Sequence, residues 1–118
     1  MAKLKMWHNP RCRKSRETLA LLEQHGADFE IMKYLETPPD ADELGRVRDL
    51  LAFEPRQLMR RKEAPYKELD LAADQHSRES LIAAMVAHPI LIERPVVISA
   101  NRAALGRPPE NVLKLLNV

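Results

Sequence analysis

The sequence predicts an α/β fold, a four-stranded mixed sheet flanked by helices, and three observations carry that prediction. Leu4-Lys5-Met6-Trp7 and Phe29-Glu30-Ile31-Met32-Lys33-Tyr34 alternate apolar and polar residues, while Ser15 to Gln24 between them places Leu19 and Leu22 at helical spacing, broadened by Ala20 and Leu21. Val96-Val97-Ile98 is a β-branched run suited to burial on both faces, and Ala103-Ala104-Leu105 returns after a turn at Asn101-Arg102. Between these strand-bearing ends the chain carries helix caps and helical stripes only.

Taken in order, the first strand, helix and strand fall within about thirty residues and read as a right-handed parallel unit. Pro10 fixes its own φ and biases Asn9 towards extended geometry, which holds the turn open and delays the helix, so Ser15 is the expected N-cap with Thr18 at the capping-box position. Gly26, just past the last periodic residue, suits a left-handed helix stop. Thr37-Pro38-Pro39 breaks the pattern, and Asp40 caps the next helix, with Glu43 at the capping-box position and Leu44, Val47, Leu50 and Leu51 as its buried stripe. Phe53-Glu54-Pro55-Arg56 interrupts it, Gln57 to Arg61 reads as a short helical turn, and Glu63 to Leu71 as a loop or irregular helix. Ser77 caps another helix whose face is Leu81, Ile82, Met85 and Val86, until His88-Pro89 ends it. Ile90-Leu91-Ile92 reads as packing rather than pairing, and Glu93-Arg94-Pro95 leads into the third strand. Gly106-Arg107-Pro108-Pro109 opens a last helix with Val112, Leu113, Leu115 and Leu116 towards the core.

The order is therefore βαβ, a helical insert at about residues 40–88, then ββα, in one domain over residues 1–118. With a cysteine at the first strand-to-helix turn and a proline opening the third strand, this is the layout of a thioredoxin-like domain.

Composition narrows the function classes. At 118 residues the chain is long enough for a real core, and 45% apolar with 31% charged residues is globular. No window approaches the ~18 apolar residues of a membrane span, and the N-terminal stretch runs into strand pattern without the apolar core of a signal peptide, so a cytoplasmic protein is expected. Net charge is +2, well short of a nucleic-acid footprint, and Arg60-Arg61-Lys62 taken alone is a solvated cluster. One cysteine and four scattered histidines offer no metal-ligand spacing. A lone cysteine also forms no internal disulfide, so redox chemistry here takes its second thiol from another molecule.

That cysteine, Cys12, stands in the densest cationic run of the chain, His8-Asn9-Pro10-Arg11-Cys12-Arg13-Lys14-Ser15-Arg16. A thiol before a helix start meets unpaired backbone N–H groups and the positive end of the helix dipole, which favour thiolate over thiol. Arg11, Arg13, Lys14 and a protonated His8 add charge in the same direction. The bland alternative is an inert buried cysteine, but neighbours such as Arg11, Arg13 and Lys14 do not follow it into an apolar core.

Several blocks give the chain a family resemblance. His8-Asn9-Pro10-Arg11-Cys12, Lys14 to Leu19, Tyr34 to Pro39, Arg60-Arg61-Lys62-Glu63, His88 to Pro95 and Gly106 to Glu110 resemble, in the same order, the glutaredoxin-coupled arsenate reductases. The resemblance implies Cys12 as nucleophile, with His8 favouring its thiolate, and Arg60, Arg94 and Arg107 as anion-binding residues; Ser15, in the same block, joins His8 and Cys12 as a candidate catalytic residue. A guanidinium suits that task because its fork pairs bidentately with a tetrahedral oxyanion and keeps its charge. The resemblance further implies arsenate as substrate, glutathione as cosubstrate, glutaredoxin as partner, no bound cofactor, and a cis peptide at Arg94-Pro95, which X-Pro bonds tolerate at about 1 kcal/mol. Arg13 departs from the pattern, since some members carry a small residue after the nucleophile, and it bears on the entry of a bulky thiol. The chain also stops soon after the last helix, without the tail some members carry.

Two other functions compete. One is a glutathione-dependent thiol reductase or transferase acting on another substrate; the arginine set favours an oxyanion without choosing arsenate. The other is a non-enzymatic thiol-based regulator that binds RNA polymerase and senses oxidation through a Cys-x-x-Cys switch; its second position is here Ser15, so the switch is absent.

Overall fold

In the computed structural model, which describes residues 3–116, the chain forms two compact units. The first comprises the residues up to Thr37 and those from Arg94 onward; the second is Pro38–Glu93, the helical stretch.

The first unit holds the sheet. Strands β1 (Leu4–Trp7), β2 (Phe29–Met32), β3 (Val96–Ile98) and β4 (Ala103–Leu105) lie in the order β2-β1-β3-β4. β1 pairs parallel with β2, as a strand-helix-strand unit requires, and β3 runs antiparallel to both β1 and β4. This is the mixed four-stranded, thioredoxin-like sheet that the sequence predicts. Helix α1 (Arg13–Gln24) and a C-terminal 3-10 helix (Pro109–Leu116) lie against it, and Leu4, Met6, Leu22, Val97, Ala104, Val112 and Leu115 form their common core. The last helix is 3-10 rather than α-helical along its described length. A three-residue period puts Pro109, Val112 and Leu115 on one face, and these are its buried residues; Leu113 and Leu116 are only partly covered.

The start of α1 differs from expectation. Its N-cap is Cys12 and not Ser15: Cys12 takes the extended φ −94°, ψ 122° of a cap, and its carbonyl accepts the first helical bond from Arg16 N–H at 3.0 Å. A turn closed by Cys12 N–H to Asn9 O brings the chain around directly after Pro10, so Ser15 falls inside the first turn.

In the second unit, α2 (Ala41–Leu51) and α4 (Arg78–Ala87) pack together, and both expected caps form: Asp40 accepts from Glu43 N–H at 2.8 Å and Ser77 from Ser80 N–H at 3.1 Å. The short helical turn lies at Pro55–Leu58, earlier than Gln57 to Arg61, because Pro55 opens it and Gln57 and Glu54 close a reciprocal capping box. Helix α3 (Ala64–Glu68) occupies the stretch read as irregular. Leu91 and Ile92 are buried, and Ile92 bridges Met59 as a single pair. The Arg94-Pro95 peptide is cis, as expected, and so is Arg107-Pro108.

Candidate active site

The sheet register gathers the site. Trp7 pairs with Val96 and Val96 with Leu105, so the residues just outside these pairs, His8, Pro95 and Gly106, meet at the carboxyl end of β1. Gly106 N–H extends the ladder by donating to Pro95 O at 2.9 Å. One residue further on either chain stand Arg94 and Arg107, and the turn after His8 delivers Cys12.

Gly106 has to be glycine here. A Cβ at this position would stand 2.6 Å from Thr18 Oγ1 and 2.7 Å from Pro95 Cγ, inside any allowed contact. Its missing side chain lets the end of β4 close on α1 and on Pro95, which seats the next residue, Arg107. Arg107 then makes two directed contacts: Nε donates to Arg94 O at 2.8 Å, and Nη2 lies 3.7 Å from Cys12 Sγ.

Cys12 is only 8% exposed, yet Arg11, Arg13 and Lys14 beside it stay in solvent. These sequence neighbours are not what reaches the sulfur. Arg13 and Lys14 both pair with Glu17, at 3.6 and 3.5 Å, and Arg16 Nη1 donates to Pro10 O. Among the described residues the cation that contacts Cys12 is Arg107, and α1 adds the N–H groups of Arg13, Lys14 and Ser15, which precede its first internal bond.

Arg94 is 9% exposed, and its Nε and Nη1 are buried with no hydrogen-bond partner among the described residues. An unsatisfied buried guanidinium is costly, and an anion of matching geometry is one kind of group that would complete it.

His8 is buried, with Nδ1 2.6 Å from Ser15 Oγ, an oxygen that accepts the Asn9 N–H at 3.0 Å. Burial first, then Lys33 and Arg16, push the imidazole below its ordinary value of 6.5. A protonated His8 was expected to add charge beside Cys12; the ring is instead held towards its neutral form. Ser15, fully buried, contacts His8 rather than capping the helix.

Arg60 lies in the second unit. Its Nη1 pairs with Glu63 and its Nε with Glu93 at 3.7 Å, so two carboxylates hold its fork, in contrast to Arg94. Gly106 and Asn9 escaped the sequence reading as site residues. A glycine between a strand end and Arg-Pro-Pro was the available signal for Gly106; nothing in the sequence marked the Asn9 N–H.

The ArsC family matches residues 7–115. The uncharacterized protein YfgD of Escherichia coli (strain K12) is 52% identical over 117 residues, covering 96% of each chain. The arsenate reductase of Neisseria meningitidis serogroup B (strain ATCC BAA-335 / MC58) is 44% identical, with 98% of this chain and 100% of that one covered. Among solved structures, the arsenate reductase from Vibrio cholerae matches with a TM-score of 0.93 and 51% identity over 96% of this chain and 97% of the other.

Proposed function

This chain belongs to the ArsC family, and on that premise we propose that it is an arsenate reductase whose nucleophile is Cys12 and whose reductant is glutathione with glutaredoxin. The observation that carries the reading is the arrangement around Arg107. One guanidinium touches the Cys12 sulfur and the Arg94 backbone, and Arg94 itself offers two buried, unpartnered nitrogens. A nucleophile, a fixed cation beside it and an unsatisfied anion-binding fork are what thiolate attack on a tetrahedral oxyanion needs.

In the proposed cycle the Cys12 thiolate attacks arsenic, forming an S–As bond as one oxygen leaves as water or hydroxide. In this cycle Arg107 supports the thiolate, and Arg94 pairs with the arsenate oxygens. The glutathione sulfur then attacks the Cys12 sulfur, the S–As bond breaks, and its electron pair stays on arsenic, which leaves as arsenite. Two thiols, those of Cys12 and glutathione, supply the two electrons that take As(V) to As(III), and glutaredoxin reduces the resulting mixed disulfide and returns Cys12 to its thiol. The single cysteine of the chain supports an external thiol. Arsenate-dependent NADPH oxidation coupled through glutathione reductase tests the reading. Turnover should require both glutathione and glutaredoxin; equal turnover with neither would overturn the proposed reductant.

A further inference from the structure

We propose that Arg11 and Arg13 form a cationic rim around Cys12 that selects an anionic thiol over a neutral one, and that Glu17 holds this selection in check. The inference rests on the proposed function and deepens it, since it assigns residues that the incoming thiol meets before it reaches the sulfur. Cys12 is 8% exposed, while the residues on either side of it stand in solvent, Arg13 with 83% of its side chain open. A thiol that comes from solvent to attack the Cys12 sulfur therefore passes two guanidinium groups. The next arginine of the run is engaged in the fold instead, because Arg16 Nη1 donates to Pro10 O at 3.0 Å. Arg11 contributes only its backbone to the turn, its N–H donating to Asn9 Oδ1 at 3.0 Å, and among the described residues its guanidinium has no partner.

Charge decides which thiol gains from this rim. Glutathione carries two carboxylates and one ammonium, so its reactive thiolate is a net anion even before the sulfur is counted. Two guanidinium groups attract it at any working pH, since neither gives up its proton, and they act through water over a Debye length of about 10 Å at moderate salt. Glu17 opposes them. Its carboxylate lies 3.6 Å from Arg13 Nε and 3.5 Å from Lys14 Nζ, in exposed pairs that an incoming carboxylate can compete with. The rim acts on the approach of the thiol and not on the state of Cys12, whose sulfur is contacted by Arg107.

Thiol exchange at Cys12 tests the rim without arsenate. Cys12 of the intact protein is converted by dithiodipyridine to its thiopyridyl disulfide. An added thiolate then attacks the Cys12 sulfur, the S–S bond breaks, and the electron pair leaves with the thiopyridine, which takes up a proton and absorbs as thiopyridone. Glutathione is compared with its monoethyl ester, which keeps the thiol and lacks one carboxylate, so the ratio of the two rates reads charge and cancels the reactivity of Cys12. At low salt this ratio should be about fivefold higher for the wild type than for Arg11→Ser/Arg13→Ser, and the difference should close at high salt. Arg13→Lys should keep the wild-type ratio, because the charge remains, and Glu17→Gln should raise it. A ratio unchanged in the double serine variant, or insensitive to salt, would overturn the rim, and an unchanged ratio in Glu17→Gln would remove Glu17 from its role. A protein that shows the wild-type preference yet turns over no arsenate would contradict the proposed function and leave the rim standing; arsenate turnover with no preference would do the reverse.

Discussion

Arg107 Nη2 lies 3.7 Å from Cys12 Sγ across 95 positions of sequence. The contact exists because β4 pairs with β3 and β3 with β1, so that Arg107, one residue past Gly106, ends beside the turn that follows His8. The same guanidinium donates to Arg94 O, so the residue that faces the Cys12 sulfur also holds the backbone of the unsatisfied arginine.

Replacing Arg107 by Ala removes a charge-assisted contact worth roughly 1.5–3 kcal/mol. Arsenate kcat/KM should fall about ten- to hundredfold, and Cys12 alkylation at neutral pH should slow. Arg107→Lys should recover only part of this, because an ammonium keeps the charge and loses the fork that reaches both Sγ and the Arg94 carbonyl. Steady-state kinetics and iodoacetamide rates on the two variants check it.

Gly106→Ala should be damaging out of proportion to one methyl group. The new Cβ meets Thr18 Oγ1 and Pro95 Cγ below 3 Å, and overpacking of this kind typically costs about 1–3 kcal/mol. Displacing Arg107 should lower kcat/KM further than the stability loss explains, on the order of tenfold or more. Adding Thr18→Ala removes one of the two clashes and should restore part of the activity. A double variant no better than Gly106→Ala would place the damage elsewhere.

The depressed His8 titration gives a stability signature with a definite sign. The folded state holds the imidazole below 6.5, so between the two titrations the unfolded chain binds more protons and stability rises with pH. As pH falls from about 6.5 through the folded-state value, the wild type should lose stability that His8→Gln, which has no proton to take up, does not. Urea midpoints of both proteins between pH 7 and 5 measure the difference; an unchanged or reversed difference would contradict a depressed His8.

In the second unit, Asp40→Ala and Ser77→Ala each remove a helix cap. Each should cost about 1 kcal/mol in urea unfolding. The site lies in other elements, so loss of activity at temperatures well below unfolding is not expected of either variant.

Most of the sheet was legible because its patterns are local: Leu4–Trp7 and Val96–Ile98 pair where alternation and β-branching placed them and Ala103–Leu105 returns after the turn at Asn101-Arg102, while the second strand ends at Met32 and leaves out Lys33 and Tyr34, which alternation had included. The caps at Asp40 and Ser77 were legible for the same reason. Ser15 was misplaced because an N-cap preference competes with a turn that Asn9 and Cys12 close three residues earlier, and sequence alone does not weigh the two. The site was half legible. Cys12 announced itself through its neighbours, but the cations next to it in sequence turn to solvent and to Glu17, while the one that touches it arrives from the far end of the chain. The unsatisfied Nε and Nη1 of Arg94, and the grip of Glu63 and Glu93 on Arg60, are consequences of packing that no residue pattern records.

The central claim is that Cys12 is the nucleophile of arsenate reduction, and the direct measurement is arsenate turnover by wild type and Cys12→Ser in the glutathione- and glutaredoxin-coupled assay, with circular dichroism confirming that both are folded. The wild type should turn over and the folded serine variant should show none above background. Turnover retained by Cys12→Ser, or absent from a wild type whose Cys12 is alkylated readily, would contradict the account.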